Sequence, residues 1–125
     1  MTRKAIAAQG AEAVGPYSHG VDSDGLIFLS GQTPIDPATG KLAQGGIEEQ
    51  TRQCFRNLFQ VLAEVGLSED AVQKVNVYLT DMTNFSAMNE VYQQQFSKPY
   101  PARTTIGVAA LPLGAQVEIE LIAKQ

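Results

Sequence analysis

Val117-Glu118-Ile119-Glu120-Leu121-Ile122-Ala123 decides how the rest of the chain reads. Successive side chains of a strand point to opposite faces, so Val117, Ile119, Leu121 and Ala123 form an apolar face. Glu118, Glu120 and Ile122 form a partly acidic one. Upstream, Val75, Val77 and Leu79 alternate with Asn76, Tyr78 and Thr80 in a second strand of the same two-sided character. Leu26-Ile27-Phe28-Leu29 is a third, closed by Ser30-Gly31. Two helical stripes supply the cover. Ile47, Thr51, Cys54, Phe55, Leu58, Leu62 and Val65 recur at helical spacing, with Glu48 and Glu49 complementing the dipole of the first turn and Gly66 supplying a stop. A second helix starts near Asp81 or Thr83 and runs through Phe85, Met88, Val91, Tyr92 and Phe96 toward Pro99. Asp36-Pro37-Ala38-Thr39-Gly40 reads as a turn. Residues 104–111, apolar and Thr-rich, are expected to pair with the last strand across Leu111-Pro112-Leu113-Gly114. The order predicts an α+β layer, a mixed sheet with two helices on one face. The other face, with Glu118, Glu120, Ile122, Asn76 and Tyr78, is a poor core and a reasonable subunit interface, so an oligomer is expected.

Length and composition narrow the function. A chain of 125 residues is expected to form a single domain, residues 1–125, and its 44% hydrophobic and 18% charged residues are those of a compact globular protein. Nine Lys and Arg against 13 Asp and Glu give a formal charge of −4, which argues against gripping nucleic acid. No apolar run approaches the roughly 20 residues that cross a bilayer, and the N-terminal residues 1–9 lack the apolar core of a secretory signal. One Cys and one His are too few for an internal disulfide or a zinc site. A cytoplasmic protein without metal or membrane contact is expected.

Three stretches could carry chemistry. In Pro101-Ala102-Arg103-Thr104-Thr105-Ile106-Gly107 an Arg enters an apolar strand, where its desolvated charge needs a partner. Its forked guanidinium suits bidentate capture of a carboxylate, while the plainer reading is a structural ion pair with Glu118 or Glu120. Those two carboxylates share a strand face and could divide labour between pairing Arg103 and positioning water; a solvated or salt-bridged face is the alternative. Gly15-Pro16-Tyr17-Ser18-His19-Gly20 presents a phenol and an imidazole in a glycine-bracketed loop. His19 is a weak general-base candidate, since a lone loop histidine more often simply hydrogen-bonds. Ser30 lacks the Gly-x-Ser-x-Gly context of a nucleophile, and Cys54 lies on an apolar stripe, as a buried small hydrophobe would. Phosphate-binding glycine loops are absent.

Gly15-Pro16-Tyr17-Ser18, Leu29-Ser30-Gly31-Gln32 followed by Pro34, and Pro101-Ala102-Arg103 ending in Val117-Glu118-Ile119-Glu120 resemble, in order, the motifs of the RidA-like reactive intermediate deaminase family, also called YjgF. The resemblance implies a chorismate-mutase-like α+β fold assembled as a homotrimer with sites between subunits. It also implies cofactor-free hydrolysis of 2-enamine and 2-imine acids, such as 2-aminoacrylate and 2-iminobutanoate, to 2-keto acids and ammonia. By position, Arg103 matches the carboxylate-binding arginine, Glu118 the water-positioning glutamate and Tyr17 the pocket tyrosine. Ser30, Gly31 and Asn89 match residues lining the cleft. Thr105 stands where some members have Cys; the family uses mainly backbone groups there, and no thiol chemistry is possible. Three other readings compete: an endoribonuclease that inhibits translation, a non-enzymatic module binding small carboxylates, and a deaminase of larger enamines.

Overall fold

The computed structural model describes residues 3–8 and 15–125. β1 (Lys4–Ile6), β2 (Gly20–Ser23), β3 (Leu26–Gln32), β4 (Ile35–Asp36) and β5 (Lys41–Leu42) precede helix α1 (Ile47–Ala63). β6 (Val72–Leu79), α2 (Phe85–Gln95), β7 (Ala102–Gly107) and β8 (Val117–Lys124) follow. Six strands form one sheet in the order β1-β2-β3-β8-β6-β7, and β4 and β5 form a small hairpin. Asp36 closes that hairpin as the sequence predicts, its carbonyl accepting from Gly40 N at 2.8 Å.

The strand that decides the reading lies inside the sheet, β8 pairing antiparallel with β3 on one side and β6 on the other. Its apolar residues Val117, Ile119, Leu121 and Ala123 are buried, together with Ile27, Leu29, Val75, Val77 and Leu79 of its neighbours. Both helices cover this face, as expected. α1 contributes Cys54, Phe55, Leu58, Val61 and Leu62, and α2 contributes Met88 and Tyr92. α1 stops where Gly66 turns into the left-handed region at φ 72° and Leu67 N reaches back to Leu62 O at 3.0 Å. Asp81 opens the turn before α2, accepting from Thr83 N at 2.9 Å.

One expectation fails. β7 does not pair with β8; it lies parallel to β6 at the sheet edge, with Val75 opposite Arg103 and Val77 opposite Thr105. β8 has no free side, because β3 and β6 take both of its hydrogen-bonding edges. α2 then serves as the crossover that a parallel neighbour requires. Residues 111–114 form a tight turn rather than a hairpin connection, with Leu113 held at φ 61°.

The opposite face lies bare in the single chain. Leu26 and Phe28 are each 42% exposed and Ile106 45% exposed, around half-buried Tyr78 and Ile122. Asn76 Nδ2 donates to Glu120 Oε2 at 3.1 Å across this face. Among the described residues no helix is long and apolar enough to cross a membrane.

Candidate active site

Arg103 sits on the helix side of β7, because its Cα partner Val75 points into the core. Its Nη1 donates to Asn89 Oδ1 at 2.7 Å, and its Cζ lies 4.6 Å from the centroid of Tyr92 and 5.5 Å from that of Phe85. Phe85, Asn89 and Tyr92 stand at i, i+4 and i+7 on α2 and so share one helix face. No carboxylate of a described residue reaches Arg103. The structural ion pair with Glu118 or Glu120 is therefore overturned: a neutral amide and two rings hold the cation. Arg103, Asn89, Tyr92, Gln93, Tyr100 and Pro101 line a cleft of about 350 Å³.

Glu118 points the other way. It falls between buried Val117 and Ile119 and opposite Tyr78, on the uncovered sheet face. The two carboxylates of β8 do divide, though not as a shared partner for Arg103. Glu120 is engaged by Asn76, whereas no described residue donates a hydrogen bond to the Glu118 carboxylate. Burial raises the Glu118 pKa above the usual carboxylate range, and the nearby negative charge of Glu120 adds to the effect.

The seat of Glu118 comes from an irregularity in β3. Leu29 opposes Leu121 and Gln32 opposes Ile119, so Ser30 and Gly31 together face only Glu120, as in a bulge. A side chain on Gly31 would overlap the Glu118 carboxylate, whose Cδ lies 3.1 Å from where a Cβ would stand. Gly31 is needed here for space. Ser30 Oγ donates to Ser18 O at 2.6 Å and Ser30 N to His19 O at 2.9 Å, tying the bulge to the loop that carries Tyr17. Tyr17, Ser30, Gly31, Ile35, Leu113 and Glu118 help line a second cleft of about 670 Å³.

Tyr17, Ser30, Gly31 and Glu118 are thus brought together, and so are Arg103 and Asn89, but within one chain the two groups occupy different clefts on opposite faces of the sheet. Thr105 follows Arg103 on the same face; it lines neither cleft, and its hydroxyl is buried without a partner. His19 takes the hydrogen-bonding role, its buried Nδ1 accepting from Ala8 N at 3.2 Å. Cys54 is buried, with Sγ 3.2 Å from Gln32 O; burial drives its thiol pKa far up, so it is a poor nucleophile. Sequence reasoning missed Phe85 and Tyr92 as neighbours of Arg103, reading both as core. Their spacing with Asn89 carried the signal.

Comparison with known proteins bears on the whole chain. It matches the family model described as Endoribonuclease L-PSP over residues 7–125. It is 44% identical over 126 residues to the 2-iminobutanoate/2-iminopropanoate deaminase of Bos taurus, an alignment covering 100% of this chain and 92% of that protein. Among solved structures, yeast YEO7 superposes with a TM-score of 0.94 at 40% identity, covering 99% of each chain. E. coli TdcF with bound serine gives a TM-score of 0.92 at 38% identity, covering 98% of each chain. With its fold and nearly its whole length in common with these proteins, the chain belongs to the Endoribonuclease L-PSP family, the RidA-like (YjgF) group.

Proposed function

We propose that the protein hydrolyses reactive 2-imino acids and their enamine tautomers, 2-iminopropanoate and 2-iminobutanoate among them, to 2-keto acids and ammonia. The observation that carries this reading is a half-buried guanidinium with no acidic partner among the described residues of its own chain, facing a cleft. Its free N–H groups suit a small carboxylate, and charge-assisted hydrogen bonds of that kind contribute about 1.5–3 kcal/mol each. The serine bound to E. coli TdcF and the activity named for the Bos taurus relative point to the same class of ligand.

The substrate needs little activation. Its C2 is already electrophilic as a protonated imine, so orientation and a placed water supply most of what catalysis requires. Arg103 holds the carboxylate. Glu118, kept partly dehydrated and free of donors, accepts a proton from water as the oxygen adds to C2. The tetrahedral carbinolamine then receives that proton on nitrogen; as the C–N bond breaks, the hydroxyl oxygen forms the C=O double bond and gives up its own proton through Glu118 to the departing ammonia, so the products are the keto acid and ammonium. Tyr17 closes the rim, while Ser30 and Gly31 shape the floor. No redox step occurs, and no cofactor takes part.

Arg103 and Glu118 meet a common substrate when copies of the chain associate, so that the Arg103 cleft of one subunit faces the Glu118 cleft of the next. A homotrimer would bury the bare sheet face, with its exposed Leu26, Phe28 and Ile106, and complete the sites at once.

A coupled assay tests the reaction. A pyridoxal-phosphate dehydratase generates 2-iminobutanoate from threonine, and 2-oxobutanoate is followed with and without the protein. Faster keto-acid release is expected, with Arg103→Lys lowering kcat/KM at least about 100-fold because an ammonium lacks the fork. Wild-type turnover by that variant, or cleavage of single-stranded RNA in place of imine hydrolysis, would overturn the proposal.

A further inference from the structure

A half-buried cation without a counterion needs something to hold its charge. In most proteins that something is a carboxylate, which occupies the N–H fork at the edge of the guanidinium. Around Arg103 the charge is met by aromatic rings instead. The Arg103 Cζ lies over the Tyr92 ring, 4.6 Å from the centroid, and 5.5 Å from that of Phe85. Attraction to a ring quadrupole stabilises the charge and consumes no donor. Asn89 takes one Nη1 N–H through a neutral oxygen, which fixes the rotation of the group and leaves its charge uncompensated.

Tyr92 is itself well anchored. It is 4% exposed, packs edge-on to Phe55 with centroids 5.6 Å apart at 72°, and lies 5.2 Å from Phe96. The ring therefore joins the aromatic core to the arginine. Its hydroxyl plays a different part: it is buried and has no hydrogen-bond partner among the described residues.

We infer that Tyr92 is a positioning residue for carboxylate capture, its ring face holding the Arg103 guanidinium in place before the cleft with no acidic partner among the described residues. The inference rests on the proposed reading of Arg103 and adds the element that steadies its charge without consuming a donor. The ring carries the role, so phenylalanine should replace tyrosine.

The test uses the full-length protein, with 2-oxobutanoate as an unreactive carboxylate probe. Three readouts are taken for each variant: the Arg103 Nε–H proton shift, the Kd for 2-oxobutanoate by NMR titration, and kcat and KM on generated imine. Tyr92→Phe is expected to keep KM and Kd within about two-fold. Tyr92→Leu is expected to raise both about ten-fold, the scale of a desolvated cation–π contact, with kcat changed far less. In the leucine variant the Nε–H proton should also lose its ring-current shielding. Pentafluorophenylalanine at position 92 keeps an aromatic ring of similar size and reverses the quadrupole, so it should raise KM at least as leucine does even where the leucine variant folds poorly. A wild-type Kd in the pentafluoro variant, or a phenylalanine variant as impaired as the leucine one, would overturn the inference. The proton shift and the Kd need no turnover, so they decide the matter separately from whether the wild-type protein deaminates imines.

Discussion

Glu118 and Arg103 are opposite cases of the same feature: a charge left without an ionic partner among the described residues. Arg103 was legible from sequence as a charge entering an apolar strand. What surrounds it was not, because Tyr92 and Phe85 satisfy the same helical apolar pattern whether they meet another hydrophobe or a guanidinium. The partial burial of Glu118 has a cost in stability. Burial raises its pKa, so the folded state prefers the protonated acid. Its contribution to stability is greatest at low pH and is lost as pH rises through that elevated value. Glu118→Gln is therefore expected to melt higher than wild type at pH 7, by about 1–3 °C given solvent screening on its open side. The difference should shrink as pH falls and the wild-type carboxyl also becomes neutral. The same variant should lose nearly all kcat. Thermal melts between pH 4 and pH 8 check the trend, and a variant less stable at neutral pH would show that the carboxylate is compensated after all.

At the level of elements, alternation and helical period gave β6, β8, α1 and α2 directly, because burial of one face imposes those periods on the residues. Strand partnership was not available in the same way. The Thr-rich segment at β7 carries a strand pattern but no mark of its neighbour; that choice was made by β8 being saturated on both sides and by α2 being long enough to cross over. The bulge in β3 was equally hidden, since Ser30-Gly31 looks like a strand end until its register with β8 is known. Gly31→Ala tests what the bulge does. The added methyl overlaps the Glu118 carboxylate and must push it aside. The expected result is a kcat lowered by about ten-fold or more, as a displacement near 1 Å can produce, with KM nearly unchanged because Arg103 lies in the other cleft. Circular dichroism should remain that of the wild type. A rise in KM without a change in kcat would place Gly31 with the carboxylate rather than with the water.

For the whole molecule, the mixed character of the outer sheet face was readable in the alternating strands, and the structure shows it in Leu26, Phe28 and Ile106, exposed beside polar neighbours; that face is the physical motive for the proposed oligomer. The placing of Arg103 and Glu118 in two different clefts was not readable, because sequence order says nothing of which sheet face a residue on a parallel edge strand will take. The proposed joining of the two clefts in an oligomer can be measured. Arg103→Lys and Glu118→Gln should each be nearly inactive alone. In a 1:1 mixture unfolded and refolded together, a site is complete where an intact arginine from one variant meets an intact glutamate from the other. Random assembly makes this true for about a quarter of the sites, so about a quarter of wild-type activity should return. The double variant mixed with wild type controls for simple dilution. If both residues served one chain's own site, every site in the mixed oligomer would carry one lesion and no activity would be recovered.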